Sequence, residues 1–321
     1  TLVLLMSWKD ELSYLIHPDA RKKGTASYYT LNMQEENARD TFEALFCYMG
    51  EKLGDHKSLV SNWTLGNEVN SCGMWNYSGN MSLSENVANY AKAFQLLYQG
   101  VKRTASTSKV FISLDHCWNK ADAGFSGKAF LDEFASCMNQ TAGWMDWNVN
   151  YHPYSQPLTR NEFWSDNGNT VFGTGTGYIS MKNIQILTDY LGSLEVSYGK
   201  AEGSIRVIIG ELGYTAKAGQ KDEDTQAAAL GYGYYIAMFN SRIDAYIVRA
   251  YVDDSAETSS GLYLGLFDRS YYKKKSYDVY KHLDTAQSLD YMNPYLSLVG
   301  AGSWESVIPG FDAGKLPAVD F

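Results

Sequence analysis

The 321-residue chain is poor in cysteine and histidine, and both shortages limit the metal chemistry it can support. Its four cysteines form no Cys-x-x-Cys pair, and its five histidines include no His-x-His pair of the kind that metal-dependent hydrolase barrels use. We therefore expect neither a metal nor a cofactor. Four cysteines are too few for a disulfide scaffold. Cys72 and Cys117 follow adjacent predicted strands, so they can be either a disulfide or two free thiols.

Several other motifs are missing. No Gly-x-Ser-x-Gly elbow is present for a serine nucleophile, and no glycine-rich phosphate loop follows the first apolar run, TLVLLM. No apolar run reaches the roughly 18 residues that a membrane span requires. Basic residues number 27 against 36 acidic ones, and the net charge of −9 disfavours nucleic acid and anionic membranes as partners. A neutral or cationic small ligand is the expected partner.

Aromatic residues, in contrast, are abundant, with 25 tyrosines and 8 tryptophans. Amphipathic rings suit clefts that bind partly apolar, hydroxylated ligands, although a tyrosine-rich surface is an alternative. The length and the hydrophobic content of 45% favour one large domain over residues 1–321. Within it, residues from about 287 to 321 are predicted to form an irregular tail packed on the rest.

Six apolar runs alternate with stretches of helical periodicity, which predicts parallel strands joined by helical crossovers. The predicted strands cover 1–6, 60–66, 109–115, 145–152, 204–211 and 245–251, and the predicted helices cover 36–53, 84–105, 126–139, 179–197, 222–240 and 273–286. Ser84 is the predicted N-cap of the second helix. The pattern predicts an α/β fold, a (β/α)₈ TIM-type barrel whose strands three to eight lie in this chain. Strands one and two are not evident, so an N-terminal truncation is expected.

Two of the predicted strands end in a glutamate, Glu68 in NWTLGNEVN and Glu211 in VIIGELG. In TIM barrels the active site is built at the C-terminal ends of the strands, and the long segment 153–178 is predicted to be a loop on that side. Cleavage of a glycosidic bond needs two carboxyl groups. One protonates the leaving oxygen, and the other attacks the sugar or activates water.

The stretches WTLGNEVN, NYHPY and VIIGELG resemble clan A of the glycoside hydrolases, and the combination is closer to a bacterial branch than to members of known substrate. The resemblance implies a retaining double displacement with Glu68 as acid/base and Glu211 as nucleophile. It also implies that Asn67 binds the sugar 2-hydroxyl, that Tyr154 holds the Glu211 carboxylate and that His152 lines the same cleft. Retention requires carboxyl groups about 5 to 5.5 Å apart.

The chain departs from the clan pattern in two places. It offers no basic residue on strand two to support the nucleophile, and YIVRAYVDD provides Tyr251 where the clan commonly has a tryptophan after strand eight. The further substrate-binding candidates are aromatic or polar residues near strand ends, namely Trp8, Asp115, His116, Trp118 and Tyr251. Packing is the alternative role for the tryptophans, and a solvated strand end is the alternative for Asp115 and His116.

The expected partner is an oligosaccharide or polysaccharide, and the oligomeric state stays open. Two other functions are compatible with the sequence. One is a carbohydrate-binding barrel without turnover, and the other is a structural domain of a larger cell-surface protein, which the missing strands favour. The location is not determined by the sequence, and an extracellular or cell-surface one is favoured. The sugar, the linkage and exo or endo action depend on loop shape, and the two glutamates do not determine them.

Overall fold

A computed structural model describes residues 1–57, 59–141, 145–166 and 168–319. Among them six strands form one sheet whose hydrogen-bonded order follows the chain order. The strands are β1 (Leu2–Leu4), β2 (Asn62–Leu65), β3 (Lys109–Leu114), β4 (Trp147–Tyr151), β5 (Val207–Leu212) and β6 (Ile243–Val248). The α-helices of the described residues are α1 (Glu36–Leu53), α2 (Leu83–Lys102), α3 (Gly127–Thr141), α4 (Gln185–Ser197), α5 (Glu223–Met238), α6 (Ser255–Ser259), α7 (Lys275–His282), α8 (Ser288–Met292) and α9 (Leu296–Val299).

These elements confirm the predicted alternation of strands and helices, because each predicted apolar run contains most or all of one strand. The numbering of the strands as three to eight stays a prediction. The chain divides into two compact units, and one of the three points where it passes between them falls within β5. The first unit consists of Thr1–Tyr151 and Asp189–Val207, and the second of His152–Thr188 and Ile208–Phe321. No helix of the described residues has the length and apolar character that crossing a membrane requires.

In the first unit the strands β1 to β4 pair in parallel and in register. One row across them runs through Val3, Thr64, Phe111 and Asn148. At the end of this row the Asn148 side chain binds the segment before β5, because its Oδ1 accepts the backbone N–H of Arg206 at 3.0 Å. Nearly all residues of β2, β3 and β4 are buried. Strands that are buried along nearly their whole length are expected in a parallel sheet covered on both faces.

Two helices of the first unit cross closely because each has a glycine at the contact. A Cβ atom on Gly50 of α1 would lie 2.6 Å from the Gly100 carbonyl oxygen of α2, and one on Gly100 would lie 2.8 Å from the Phe46 carbonyl carbon. Only glycine permits this backbone approach. The crossing fixes α1 against α2, the helix that follows β2.

The N-cap of α2 corrects one prediction. The cap is Ser82 and not Ser84, because Ser82 has a glutamate three residues later. The Ser82 hydroxyl accepts the Glu85 N–H at 3.3 Å, and Glu85 Oε2 accepts the Ser82 N–H at 2.8 Å. This reciprocal capping box satisfies two backbone donors, which Ser84 cannot do since Val87 stands three residues after it.

In the second unit the C-terminal segment is more ordered than predicted. Residues 287–319 contain α8 and α9, and the segment packs on α5 through aromatic rings. The Trp304 ring lies 5.7 Å from that of Tyr232 and 5.4 Å from that of Tyr235, and the Phe311 ring lies 4.8 Å from that of Phe239. The predicted irregular tail is therefore a partly helical segment anchored by its aromatic side chains.

The described part of the segment 153–178 contains a single 3₁₀ turn, Phe163–Ser165. The turn is tied to the rest of the second unit, since the Phe163 ring stacks 5.8 Å from Tyr214 and 5.2 Å from Tyr232. The Asn161 side chain also donates to the Thr215 carbonyl oxygen. The predicted loop is thus held at its centre, and its position beside a substrate stays a prediction.

Candidate active site

Glu68 lies in a tight turn after β2, within the first unit. Its backbone φ is 44°, and Gly66 two residues earlier has a φ of 78°. A non-glycine residue in this left-handed region is uncommon and costs about 1–2 kcal/mol. Hydrogen bonds to β3 offset the cost, because Ser113 accepts the Glu68 N–H at its Oγ (3.0 Å) and the Val69 N–H at its carbonyl (2.9 Å). The turn leaves Glu68 only 8% exposed.

Asp115 follows β3 and belongs to the same buried group. Asn70 clamps it, since Asn70 Nδ2 donates to Asp115 Oδ1 at 2.6 Å and Asn70 Oδ1 accepts the Asp115 N–H at 3.1 Å. The Cys117 N–H also donates to Asp115 Oδ1, at 2.9 Å. Burial, and then the negative charge of Glu68, raise the pKa of Asp115 from its ordinary 3.8 to about 6. At 7% exposure Asp115 is not a solvated strand end.

The last residue of β4, Tyr151, completes this group. Its side chain is fully buried, and its hydroxyl has no hydrogen-bond partner among the described residues. Burial raises its pKa well above the usual value, and the charges of Asp115, Cys117 and Glu68 add to the effect. A buried hydroxyl without a partner is costly, so the Tyr151 hydroxyl can donate a hydrogen bond to a bound group. Sequence reasoning missed both Tyr151 and Asn70.

The other predicted residues of the first unit fall into two sets. Asn67 is half-buried beside Glu68, and His116 directly follows Asp115. Trp118, in contrast, is 1% exposed and packs edge-on to Tyr190 at 5.1 Å. Trp8 packs on a small core that includes Tyr29, and its indole N–H donates to Asp10. Both tryptophans thus have packing contacts, which is the alternative role given to them above.

One group of three side chains among the described residues could hold a metal ion. The ligand atoms of His116, Cys117 and Asp122 lie within 4.8 Å of one another. Burial, Asp115 and Asp122 raise the pKa of the Cys117 thiol, so a metal would have to displace its proton. Cys117 and Cys72 are free thiols, so the bond left open above is not formed.

Glu211 lies in the second unit, at the next-to-last position of β5, and its side chain is 30% exposed. Two groups approach the same carboxylate oxygen, Oε1. The Tyr154 hydroxyl donates to it at 2.9 Å, which is the contact that the resemblance implies, and Arg249 Nε lies 3.8 Å from it. The other oxygen, Oε2, accepts no hydrogen bond from the described residues. Glu211 is therefore held by one oxygen and open at the other.

Arg249 immediately follows β6 and is a third residue that was not among the predicted site residues. Its Nε donates to Glu257 Oε1 at 2.7 Å. A charged residue that interrupts the apolar run AYIVRAY was the available signal. Of the remaining candidates, His152 is buried, and Tyr251 is 64% exposed with its ring 5.0 Å from that of Phe267.

The sequence matches a family model over residues 1–307, and the description of that family is "Family of unknown function (DUF5722)". The chain belongs to this family. Among curated proteins, none matches the chain significantly.

Several solved structures align with this member of DUF5722 at low sequence identity. A hyperthermophilic β-glucosidase mutant, a monomer structure, aligns with a TM-score of 0.50 and 17% identity over 82% of this chain and 64% of its own. A β-glucosidase from Pyrococcus furiosus aligns with a TM-score of 0.49 and 16% identity, over 84% of this chain and 63% of its own. A β-xylosidase from Caulobacter crescentus aligns with a TM-score of 0.47 and 15% identity, over 87% of this chain and 50% of its own. The first likeness supports an α/β fold consistent with part of a TIM-type barrel. The chain spans less than two thirds of that structure.

Proposed function

We propose that this protein is a glycoside hydrolase that cleaves a glycosidic bond with retention, with Glu211 as nucleophile and Glu68 as acid/base. The observation that carries the proposal is the environment of Glu211, a strand-terminal carboxylate with one oxygen held by Tyr154 and the other open. The fold shared with a β-glucosidase supports it at the level of the reaction class. Strand-terminal carboxyl groups are where this fold class places its chemistry.

In the proposed reaction Glu211 Oε2 attacks the anomeric carbon, and the bond from that carbon to the leaving oxygen breaks. Glu68 gives its proton to the leaving oxygen. In the second step Glu68 takes a proton from water, and the resulting hydroxide displaces Glu211 from the sugar. Asn67 binds the sugar 2-hydroxyl in this scheme. Tyr154 keeps the Glu211 carboxylate in the orientation that attack requires.

The surroundings of Glu68 support its role as the acid. It shares a buried site with Asp115, and two carboxyl groups that share such a site cannot both ionise at low cost. Burial, and then the negative charge of Glu68, raise the pKa of Asp115 to about 6, so Asp115 takes up a proton at a higher pH than an exposed aspartate does. The buried Tyr151 hydroxyl is a further donor there. General acids in glycosidases are commonly carboxyl groups in desolvated sites.

The substrate we infer is an oligosaccharide or polysaccharide. His152, Asp115 and His116 are proposed to bind its hydroxyl groups, and the exposed ring of Tyr251 is proposed as a platform for one face of a sugar.

A panel of aryl glycosides and polysaccharides, assayed for hydrolysis beside calorimetric binding, tests the proposal. We expect turnover of at least one β-glycoside, with NMR showing that the first-formed product keeps the anomeric configuration of the substrate. Binding without turnover would indicate a carbohydrate-binding protein instead. An inverted product would exclude Glu211 as a nucleophile, because inversion proceeds by direct attack of water.

A further inference from the structure

Arg249 is positioned beside Glu211 by the backbone. Its N–H donates to the carbonyl oxygen of Leu212, the residue after Glu211, at 2.8 Å. Gly213 allows this approach, since a Cβ atom there would lie 2.3 Å from the Arg249 carbonyl oxygen. The chain after β6 therefore runs directly against the chain after Glu211, within the second unit.

The Arg249 side chain makes two charged contacts. Its Nε carries one hydrogen, which is donated to Glu257 Oε1 at 2.7 Å, so the contact of 3.8 Å with Glu211 Oε1 acts through charge. Glu257 has a fixed backbone, because α6 is capped by Asp254, which accepts the N–H groups of Ala256 (2.8 Å) and Glu257 (3.2 Å). Glu257 thus fixes the guanidinium, and the guanidinium faces the nucleophile.

We propose that Arg249 is a positioning residue for Glu211, that Glu257 holds Arg249 in place, and that Oε2 of Glu211 is the attacking oxygen. This inference rests on the proposed function. Tyr154 and Arg249 both approach Oε1, which restrains the rotation of the carboxylate and leaves Oε2 directed away from these two partners. A restrained nucleophile loses less entropy when it reaches the transition state.

The charges argue against the other use of Arg249, which is binding of an acidic sugar. The terminal amino groups of Arg249 have no acceptor among the described residues, so they could in principle bind a sugar carboxylate. Two carboxylates, Glu211 and Glu257, already flank the single guanidinium, and the local charge sums to −1. An anionic substituent would enter a negative site, where like charges repel it. Positioning of Glu211 is the reading that the charges favour.

Covalent labelling measures the attack step directly. The probes are the 2,4-dinitrophenyl 2-deoxy-2-fluoro-β-glycosides of glucose, xylose and glucuronic acid. Attack by Glu211 forms the bond from its oxygen to the anomeric carbon, breaks the bond to the aryl oxygen and releases dinitrophenolate. Peptide mass spectrometry identifies the labelled residue, and the dependence of the labelling rate on probe concentration separates the maximal rate from the binding constant.

We expect Arg249→Met to lower the maximal labelling rate about 100-fold, as loss of a charged group at a reacting centre does. The probe binding constant should change by less than about threefold, because the interaction orients the nucleophile and not the sugar. Arg249→Lys should keep part of the maximal labelling rate, and Glu257→Gln should lower that rate less than Arg249→Met does. Added ethylguanidinium should increase the labelling rate of Arg249→Ala. Arg269→Met and Glu305→Gln alter exposed residues of the second unit and serve as matched controls. Thermal unfolding verifies that every variant folds.

The outcomes are distinct. Labelling of the wild type on Glu211 with an unchanged rate in Arg249→Met contradicts the positioning role and leaves the proposed function intact. If Arg249→Met lowers the labelling rate with the glucuronide probe alone, Arg249 binds the acidic sugar instead, which also overturns the inference. Absence of labelling by all probes, together with no hydrolysis across the substrate panel, removes the proposed function and this inference with it.

Discussion

The ends of β2 and β5 each carry a glutamate, but the two glutamates have opposite surroundings. Glu68 is almost fully buried in a group of acidic and amide side chains that includes Asp115 and Asn70. Glu211 is partly exposed and faces a hydroxyl donor and a guanidinium. The first environment is buried and acidic, whereas the second provides a hydrogen-bond donor and a positive charge. The roles proposed for the two glutamates, acid/base for Glu68 and nucleophile for Glu211, differ in the same way as their surroundings.

The same contrast appears in two buried aspartates. Asp115 in the first unit is clamped by an amide and has a raised pKa. Asp253 in the second unit accepts a hydrogen bond from Lys274 Nζ at 2.8 Å, and both of these side chains are at most 1% exposed. Burial of a carboxylate must be offset by a proton or by a cation. The comparison shows that each unit uses a different one of the two.

The largest expected effect concerns turnover at the two glutamates. Glu211→Gln should lower kcat by about 10⁵-fold for every substrate, because no other group can form the covalent bond. Glu68→Ala should lower kcat about 10²- to 10⁴-fold for substrates with poor leaving groups and much less for dinitrophenyl glycosides, which leave without a proton. Steady-state rates across a series of leaving groups measure the difference.

Added azide sharpens this test. It should restore the rate of Glu68→Ala by attacking the glycosyl-enzyme and should leave Glu211→Gln inactive. Equal losses in both variants across the series would contradict the division of roles between the two glutamates.

A large effect on stability is expected at the buried ion pair. Asp253→Asn leaves the Lys274 ammonium buried without its charge partner, and removing one member of such a pair costs about 3–5 kcal/mol of unfolding free energy. The neighbouring pair of Lys275 and Asp224 is solvent-exposed at 2.7 Å and is the matched control. Asp224→Asn should cost less than about 1 kcal/mol. Urea denaturation at neutral pH measures the unfolding free energy of both variants. Equal losses of unfolding free energy would show that burial does not determine how much each ion pair contributes to stability.

Replacing Asp115 by asparagine should stabilise the protein above about pH 4, whereas Asp253→Asn should destabilise it. Its pKa is raised in the folded state, so its contribution to stability is complete below about pH 4 and is lost as the pH rises through about 6. A rise of about two pKa units corresponds to about 3 kcal/mol. Asp115→Asn keeps an oxygen that can accept from Asn70 and removes the titration. Between pH 4 and pH 8 the unfolding free energy of Asp115→Asn should therefore rise, relative to that of the wild type, by up to about 3 kcal/mol.

Urea denaturation at several pH values, with Asp40→Asn as an exposed control, measures this gain. A difference between Asp115→Asn and wild type that does not change with pH would contradict the raised pKa.

The smallest expected effect concerns the interaction between Glu68 and Asp115. Glu68→Gln removes a negative charge near Asp115, so the pKa of Asp115 should fall below about 6. Burial is the larger cause of the shift and is unchanged, so the value should stay above 3.8. Carboxyl ¹³C NMR titration can follow it. A pKa that does not move in Glu68→Gln would mean that the two carboxyl groups do not interact.

Much of the fold could be predicted because its signals are local. The helix predicted over 36–53 is found with those bounds, and the six strands fall within or close to their predicted apolar runs. Errors concern the ends of elements. The helix predicted from 179 begins as α-helix at Gln185, because Ser180 and Asn183 form their own capped 3₁₀ turn first. Such ends depend on individual hydrogen bonds, which periodicity does not detect.

The sequence by itself determined the alternation of strands and helices and the position of Glu68 and Glu211 at strand ends, because both follow from the order of apolar and polar residues along the chain. Only the tertiary structure decided what surrounds each carboxyl group. Asn70 in the turn of Glu68 reaches across to Asp115, 45 positions away in sequence, and the contact between Arg249 and Glu211 joins residues 38 positions apart. Charge and burial act through space, so the chemistry of the two glutamates depends on distances that residue order does not contain.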